Sequence, residues 1–272
     1  MQILKAIIMG IIQGLTEFLP ISSSGHLVLY QYFFGKPDGT GNDISLEVFL
    51  HLGSLIAVII FFRKDIMELI SSLFQWRKSI DQHKQYRNRM VIVYLFIATV
   101  CTGIIYVLFG TKIEAVFNQP LIVAFMLIVT GIIILASDYI KKTEIPISNM
   151  GLVRSIIIGL GQGFAMLPGI SRSGTTIATS LFCGIKRTDA ARFSFLLSIP
   201  AILAANIGEY KIITNLQPDL LISYISGALA AFASGYIVIA ILLRLIQTSK
   251  LKYFAFYCWL IATMVITHFI LK

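Results

Sequence analysis

Six apolar stretches, about 44–62, 90–110, 120–140, 193–209, 219–246 and 253–271, reach or approach the roughly 20 residues a bilayer-spanning helix needs. Two further apolar regions, 3–34 and 152–185, are broken near the middle by polar, Gly- and Pro-rich runs. Each flank of such a break has only about 8–17 residues, too few to cross comfortably. Non-helical backbone at membrane depth is tolerated only against protein or a water-filled cavity. Both regions therefore read as re-entrant helical hairpins. Composition agrees: 57% of residues are hydrophobic and 13% charged, with a mean hydropathy of +0.85, whereas a soluble domain carries about 25% charged residues. The expected fold class is an all-α polytopic membrane protein with six transmembrane helices plus the two hairpins.

Lys and Arg number 22 against 13 Asp and Glu, a net charge of +9. On so apolar a chain this excess marks the cytoplasmic ends of membrane helices rather than a phosphate-tracking groove, so no nucleic-acid partner is expected. Loop 63–89, with Arg63, Lys64, Arg77, Lys78, Lys84, Arg87 and Arg89, is expected inside. Lys141, Lys142, Lys186, Arg187, Arg192, Arg244, Lys250 and Lys252 also belong there, which works only if 152–185 dips in and returns without crossing. Both termini then lie outside, and the first hairpin enters from the outside. The first 20 residues lack a basic n-region and an A-x-A site, so no cleavable signal peptide is expected. Cys101, Cys183 and Cys258 occur singly, with no CxxC spacing, and read as small buried thiols.

An internal repeat runs through the chain. At an offset of 149, Gly10, Gln13, Gly14, Ile21, Ser22, Ser24 and Gly25 match Gly159, Gln162, Gly163, Ile170, Ser171, Ser173 and Gly174. At an offset of 144, Phe49, Leu52, Ser54 and Ala57 match Phe193, Leu196, Ser198 and Ala201. The expected organisation is a single integral membrane domain of two halves, about 1–142 and 150–272. Each holds one hairpin and three crossings, and an odd number of crossings makes the halves an inverted-topology repeat whose broken helices meet near the midplane.

The breaks carry the chemistry. Gln13 and Glu17 are four apart, on one helix face. Pro20 is followed by Ser22, Ser23, Ser24, Gly25 and His26; in the second break Arg172 stands between Ser171 and Ser173, ahead of Gly174, Thr175 and Thr176. Intramembrane ionisable residues are costly and mark a functional site by default. Glu17, His26 and Arg172 are expected to converge, and two helix N-termini beside hydroxyls and a guanidinium make an anion site suited to phosphate. Plainer readings exist for each part: Ser/Gly runs serve close packing, Glu17 is a structural partner of Arg172, and His26 is a cap. Glu47 and His51, four apart, either line the cavity or cap their helix; His83 reads as solvated and His268 as interfacial.

The runs Gln13-Gly-Leu-Thr-Glu17-Phe-Leu-Pro-Ile-Ser-Ser-Ser-Gly-His26 and Pro168-Gly-Ile-Ser-Arg-Ser-Gly-Thr-Thr176 resemble the two signature motifs of the undecaprenyl-diphosphatase family of the bacitracin-resistance type. Length, repeat and segment count fit across nearly the whole chain. The resemblance implies removal of one phosphate from undecaprenyl diphosphate at the outer face of the cytoplasmic membrane. That activity recycles the lipid carrier for peptidoglycan synthesis and confers bacitracin resistance.

By the same resemblance, the catalytic residues are Glu17, Ser23, His26 and Arg172. Gln13, Ser22, Ser24, Gly25, Ser171, Ser173, Gly174 and Thr176 are expected to bind substrate. A divalent cation, Mg²⁺ or Ca²⁺, is expected on Glu17 and Gln13, although Gln13 stands where the most familiar form of the motif has a glutamate. The expected partners are undecaprenyl diphosphate and the lipid bilayer, with a homodimer left open. Ser23 or His26 is the candidate nucleophile, with His26 also a base for a serine or water. The rival reading from another class is a secondary transporter or flippase of a phosphorylated lipid built on the same inverted repeat. The other membrane phosphatase family, with its serine-glycine-histidine run, also needs a Lys/Arg-Pro motif and a second histidine beside Arg and Asp; here Arg172 has no partner histidine downstream in its motif, and His268 is far off at a segment end.

Overall fold

The computed structural model describes residues 2–35, 44–74, 82–208, 220–248 and 250–272. Among them lie eleven α-helices: α1 (Gln2–Phe18), α2 (Ser23–Phe34), α3 (Ile44–Phe61), α4 (Arg63–Leu73), α5 (Gln82–Val116), α6 (Pro120–Asp138), α7 (Gly151–Phe164), α8 (Arg172–Phe182), α9 (Arg187–Gly208), α10 (Leu221–Gln247) and α11 (Lys252–Leu271). Five of these are long and apolar enough to span a bilayer, and α3 with α4 makes a sixth if that bent pair is one span. Val107 is 82% exposed and Phe96, Leu229, Phe256 and Met264 are also exposed on the long helices, a surface that only lipid covers favourably. The protein is an all-α polytopic membrane protein.

The polar breaks fall where the sequence places them. Residues 19–22 separate α1 from α2, and 165–171 separate α7 from α8; within each pair the two helices pack together. Two elements depart from the sequence reading. Residues 63–73, expected within a loop, form α4, which turns 72° away from α3 at the buried Phe62. Its polar face docks on α5, where Lys84 pairs with Glu68 at 3.0 Å and Arg89 donates to the Ser72 carbonyl at 2.7 Å. Accordingly α5 begins at Gln82 rather than near residue 90, because its first turns are polar and answer α4 rather than lipid. Arg77 and Lys78 of the basic loop, and residues 209 and 219, lie outside the described residues.

Small residues set the closest helix contacts. A Cβ on Gly14 would lie 2.1 Å from Ser234 Oγ and 2.3 Å from the Ala231 carbonyl, so α1 seats directly on α10. Gly163, its match at the 149 offset, brings α7 against α5, where a Cβ would lie 2.7 Å from Ile105 Cβ. Beneath the first break Phe18 is fully buried and meets Phe195 of α9 edge-on, with centroids 5.7 Å apart. The largest apolar core therefore begins one residue from Glu17. Cys101, Cys183 and Cys258 are free thiols. An apolar groove of about 430 Å³ between α5 and α7 is lined by residues including Ile105, Phe109, Leu160, Phe164 and Leu167, with Lys112 at its edge.

Candidate active site

Serine caps build both breaks the same way. Ser22 Oγ accepts from the Gly25 amide at 3.3 Å, and Ser171 Oγ accepts from the Gly174 amide at 3.0 Å. Each cap satisfies one of the amides that a helix start leaves unpaired, and the amides preceding the capped one remain available to an anion. The two loops then interlock. Ser22 Oγ donates to the Ile170 carbonyl at 3.3 Å, and Ser173 Oγ donates to the Leu19 carbonyl at 2.9 Å. Gly25 and Gly174 allow this approach: their Cβ atoms would lie 3.0 Å from Gly169 Cα and 3.1 Å from Pro20 Cβ. Thr130 of α6 clamps the second loop by donating to the Gly169 carbonyl at 2.8 Å and accepting from the Ser171 amide at 3.0 Å.

The centre of the site is Glu17, 7% exposed at the end of α1. Its Oε1 accepts from Arg172 Nη2 at 2.5 Å. Its Oε2 accepts from Ser23 Oγ at 2.6 Å and from Gln13 Nε2 at 2.9 Å. The ion pair joins the two hairpins across 155 residues of sequence, and both side chains are mostly buried. Arg172 Nη1 also donates to the Ser194 carbonyl of α9 at 3.4 Å. A guanidinium has five N–H donors, so with two engaged it retains a fork for phosphate oxygens.

Of the three ionisable residues expected to converge, Glu17 and Arg172 meet, with Ser23 and Gln13 on the same carboxylate, while His26 bonds neither of them. His26 stands apart from the serine hydroxyls. Its Nδ1 lies 2.7 Å from the Ser22 carbonyl, and its Nε2 lies 2.9 Å from the Tyr257 hydroxyl. The base candidate that touches Ser23 is thus Glu17. Of the expected substrate-binding residues, Ser22, Ser171 and Ser173 use their hydroxyls to cap and lock the loops. Thr176 is fully buried and bonds Ser194 Oγ at 2.5 Å and its own helix, so it braces α8 against α9. Ser23 and Ser24 keep half-buried side chains. Gln31 donates to Glu47 Oε1 at 2.7 Å, and His51 Nδ1 lies 2.8 Å from the Glu47 carbonyl, so these residues join α2 to α3.

The family described as "Bacitracin resistance protein BacA" matches residues 6–264. The chain belongs to this family. It is similar to an undecaprenyl-diphosphatase of Methanobrevibacter smithii, 44% identical over 98% of the chain and 99% of the relative. A relative of the same name in Halothermothrix orenii is 41% identical over 98% of each chain, and one in Treponema denticola is 45% identical over 94% of each. Ser194, Thr130 and Tyr257 contact the expected site residues of this BacA family chain, and sequence reasoning missed them. The first two carried a weak signal as hydroxyls inside apolar helices; Tyr257 carried none that separated it from interfacial aromatics.

Proposed function

We propose that this chain hydrolyses undecaprenyl diphosphate to undecaprenyl phosphate and inorganic phosphate at the outer face of the cell membrane. In this role it recycles the lipid carrier and confers bacitracin resistance. The observation that carries the reading is Glu17, which joins a serine hydroxyl to one carboxylate oxygen and an arginine from the other hairpin to the second. A hydroxyl hydrogen-bonded to a base is an activated nucleophile, and an adjacent guanidinium suits the charge of a diphosphate. The relatives' shared name supports hydrolysis over the transporter reading. The apolar groove between α5 and α7 supports a lateral path for the polyprenyl tail, with the headgroup at the breaks.

In this mechanism the diphosphate draws Arg172 away from Glu17, since phosphate oxygens compete for the same fork. Ser23 Oγ attacks the terminal phosphorus while its proton passes to Glu17 Oε2. The bond to the bridging oxygen breaks, and undecaprenyl phosphate leaves. Water then cleaves the phosphoserine, releasing inorganic phosphate and restoring the serine. Arg172 and the first amides of α2 and α8 stabilise the phosphoryl charge throughout, and such positioned electrostatics is the main source of phosphoryl-transfer catalysis. His26 Nε2 is the base that takes the proton of the water cleaving the phosphoserine, and it is the rival nucleophile.

A divalent cation suits this donor set. Gln13 donates through Nε2 to Glu17 at 2.9 Å, and its Oε1 is a buried carbonyl oxygen with no hydrogen-bond partner among the described residues. Mg²⁺ takes one or two carboxylates and completes its shell with waters and substrate phosphates. Glu17 and Gln13 would hold the ion, and it would neutralise phosphate charge.

The test is phosphate release from undecaprenyl diphosphate by purified protein in detergent, with Mg²⁺, Ca²⁺ or EDTA, beside Arg172→Ala. Metal-dependent release that the variant loses is the expected result. No release from folded protein would overturn the reading and favour lipid transport.

A further inference from the structure

We propose that Tyr257 is a positioning residue for His26, holding in place the ring whose tautomer the Ser22 carbonyl sets. A carbonyl oxygen only accepts, so the contact with the Ser22 carbonyl places a hydrogen on Nδ1. In the neutral ring Nε2 is then the lone pair, and the Tyr257 hydroxyl donates to it at 2.9 Å. The two ring planes lie within 7° of parallel, with centroids 5.6 Å apart. One hydrogen bond at each nitrogen leaves the imidazole a single orientation.

Tyr257 comes from α11, 231 residues away in sequence. The next residue, Cys258, sets its Sγ 4.0 Å from the Pro20 carbonyl, so one turn of α11 holds both the first loop and the histidine that follows it. This tautomer keeps the reactive lone pair away from the α2 backbone and on the side where Tyr257 is 37% exposed. A phosphate oxygen or water entering there takes the place of the hydroxyl. When Nε2 gains a proton, the same hydroxyl turns from donor to acceptor and still orients the ring.

The effect on turnover rests on the diphosphatase reading; the effect on the ring does not. Tyr257→Phe keeps the aromatic ring and removes only the hydroxyl. Turnover of undecaprenyl diphosphate is compared in Tyr257→Phe, in His26→Gln and in the double variant. In parallel, nitrogen NMR of ¹⁵N-histidine-labelled protein in detergent reads the tautomer, with His26→Gln assigning the signal. Tyr257→Phe is expected to lower kcat about tenfold, a part of the 10²–10⁴-fold a positioned acid–base group supplies, with KM within about twofold. Adding it to His26→Gln costs nothing further, because the two act as a unit. The His26 Nε2 resonance shifts away from the protonated value as its hydrogen bond is lost, while the Nδ1–H set by the Ser22 carbonyl stays. An undiminished kcat, losses that multiply in the double variant, or an unmoved His26 Nε2 resonance would overturn the proposal. If the unsubstituted protein releases no phosphate, the diphosphatase reading fails, and the nitrogen signal still decides the role of Tyr257.

Discussion

The two breaks share a scaffold and divide the chemistry. Residues related by the 149 offset do the same structural work: Ser22 and Ser171 cap their helices, and Gly25 and Gly174 admit the opposite loop. The reactive positions differ. Glu17 corresponds to Met166, Ser23 to Arg172 and His26 to Thr175. One break thus holds the carboxylate, the hydroxyl and the imidazole, and the other contributes the cation. Backbone conformation differs as well, since Ser22 sits at φ 71 and Ser171 at φ −73. A left-handed backbone at a non-glycine residue costs on the order of 1–2 kcal/mol, so the first loop carries strain at the residue before Ser23 that the second lacks. A shared framework fixes distances, while unequal side chains supply the polarity that a reaction on one phosphate requires.

The largest expected effect comes from breaking the division itself. Arg172→Ala is expected to cut phosphate release at least about 10²–10³-fold and to lower stability by about 3–5 kcal/mol, because it leaves Glu17 buried and unpaired. Exchanging the charges, Glu17→Arg with Arg172→Glu, is expected to recover much of the SDS-unfolding midpoint and none of the turnover, since Ser23 then loses its acceptor. Activity in the exchanged protein would make the two breaks chemically equivalent.

A smaller effect distinguishes neighbouring serines. Ser23→Ala is expected to lower kcat by about 10²-fold or more and to abolish an acid-stable phosphoenzyme trapped on quenching, while Ser24→Ala keeps kcat within about threefold. An acid-labile adduct in its place would move the nucleophile to His26.

The smallest effect tests the strain. Ser22→Gly relieves the positive φ but loses a cap and the long 3.3 Å bond to the Ile170 carbonyl, whereas Ser171→Gly loses a cap without any relief of φ; a cap replaced by Gly costs a few tenths of a kcal/mol. The first variant is expected to be more stable than the second by about 1 kcal/mol, read from paired unfolding curves in detergent.

The breaks were legible because Pro20, Gly25, Pro168 and Gly174 interrupt apolar runs, and a 3.6-residue period puts Gln13 beside Glu17. The pairing of Glu17 with Arg172 was also legible, since a buried carboxylate and a buried guanidinium each need a partner. Helix α4 was not, because hydropathy reports what lies in lipid and α4 satisfies its polar face on α5. Nor was the separation of His26 from the serines, although a ring four residues after the Ser22 carbonyl is placed to donate back to it. Tyr257 and Ser194 lie far along the chain, and their contacts follow from how α11 and α9 pack rather than from any local pattern.

The Glu17–Arg172 pair also sets a timetable for biogenesis. Its partners are separated by 155 residues, and at about 5–20 residues per second the ribosome takes roughly 8–31 s to supply the second after the first. Throughout that interval the nascent chain carries an unpaired carboxylate on a segment too short and too polar to be committed to lipid. The pair that joins the hairpins closes only once the later half emerges, so the site is complete only after residue 172 has been made.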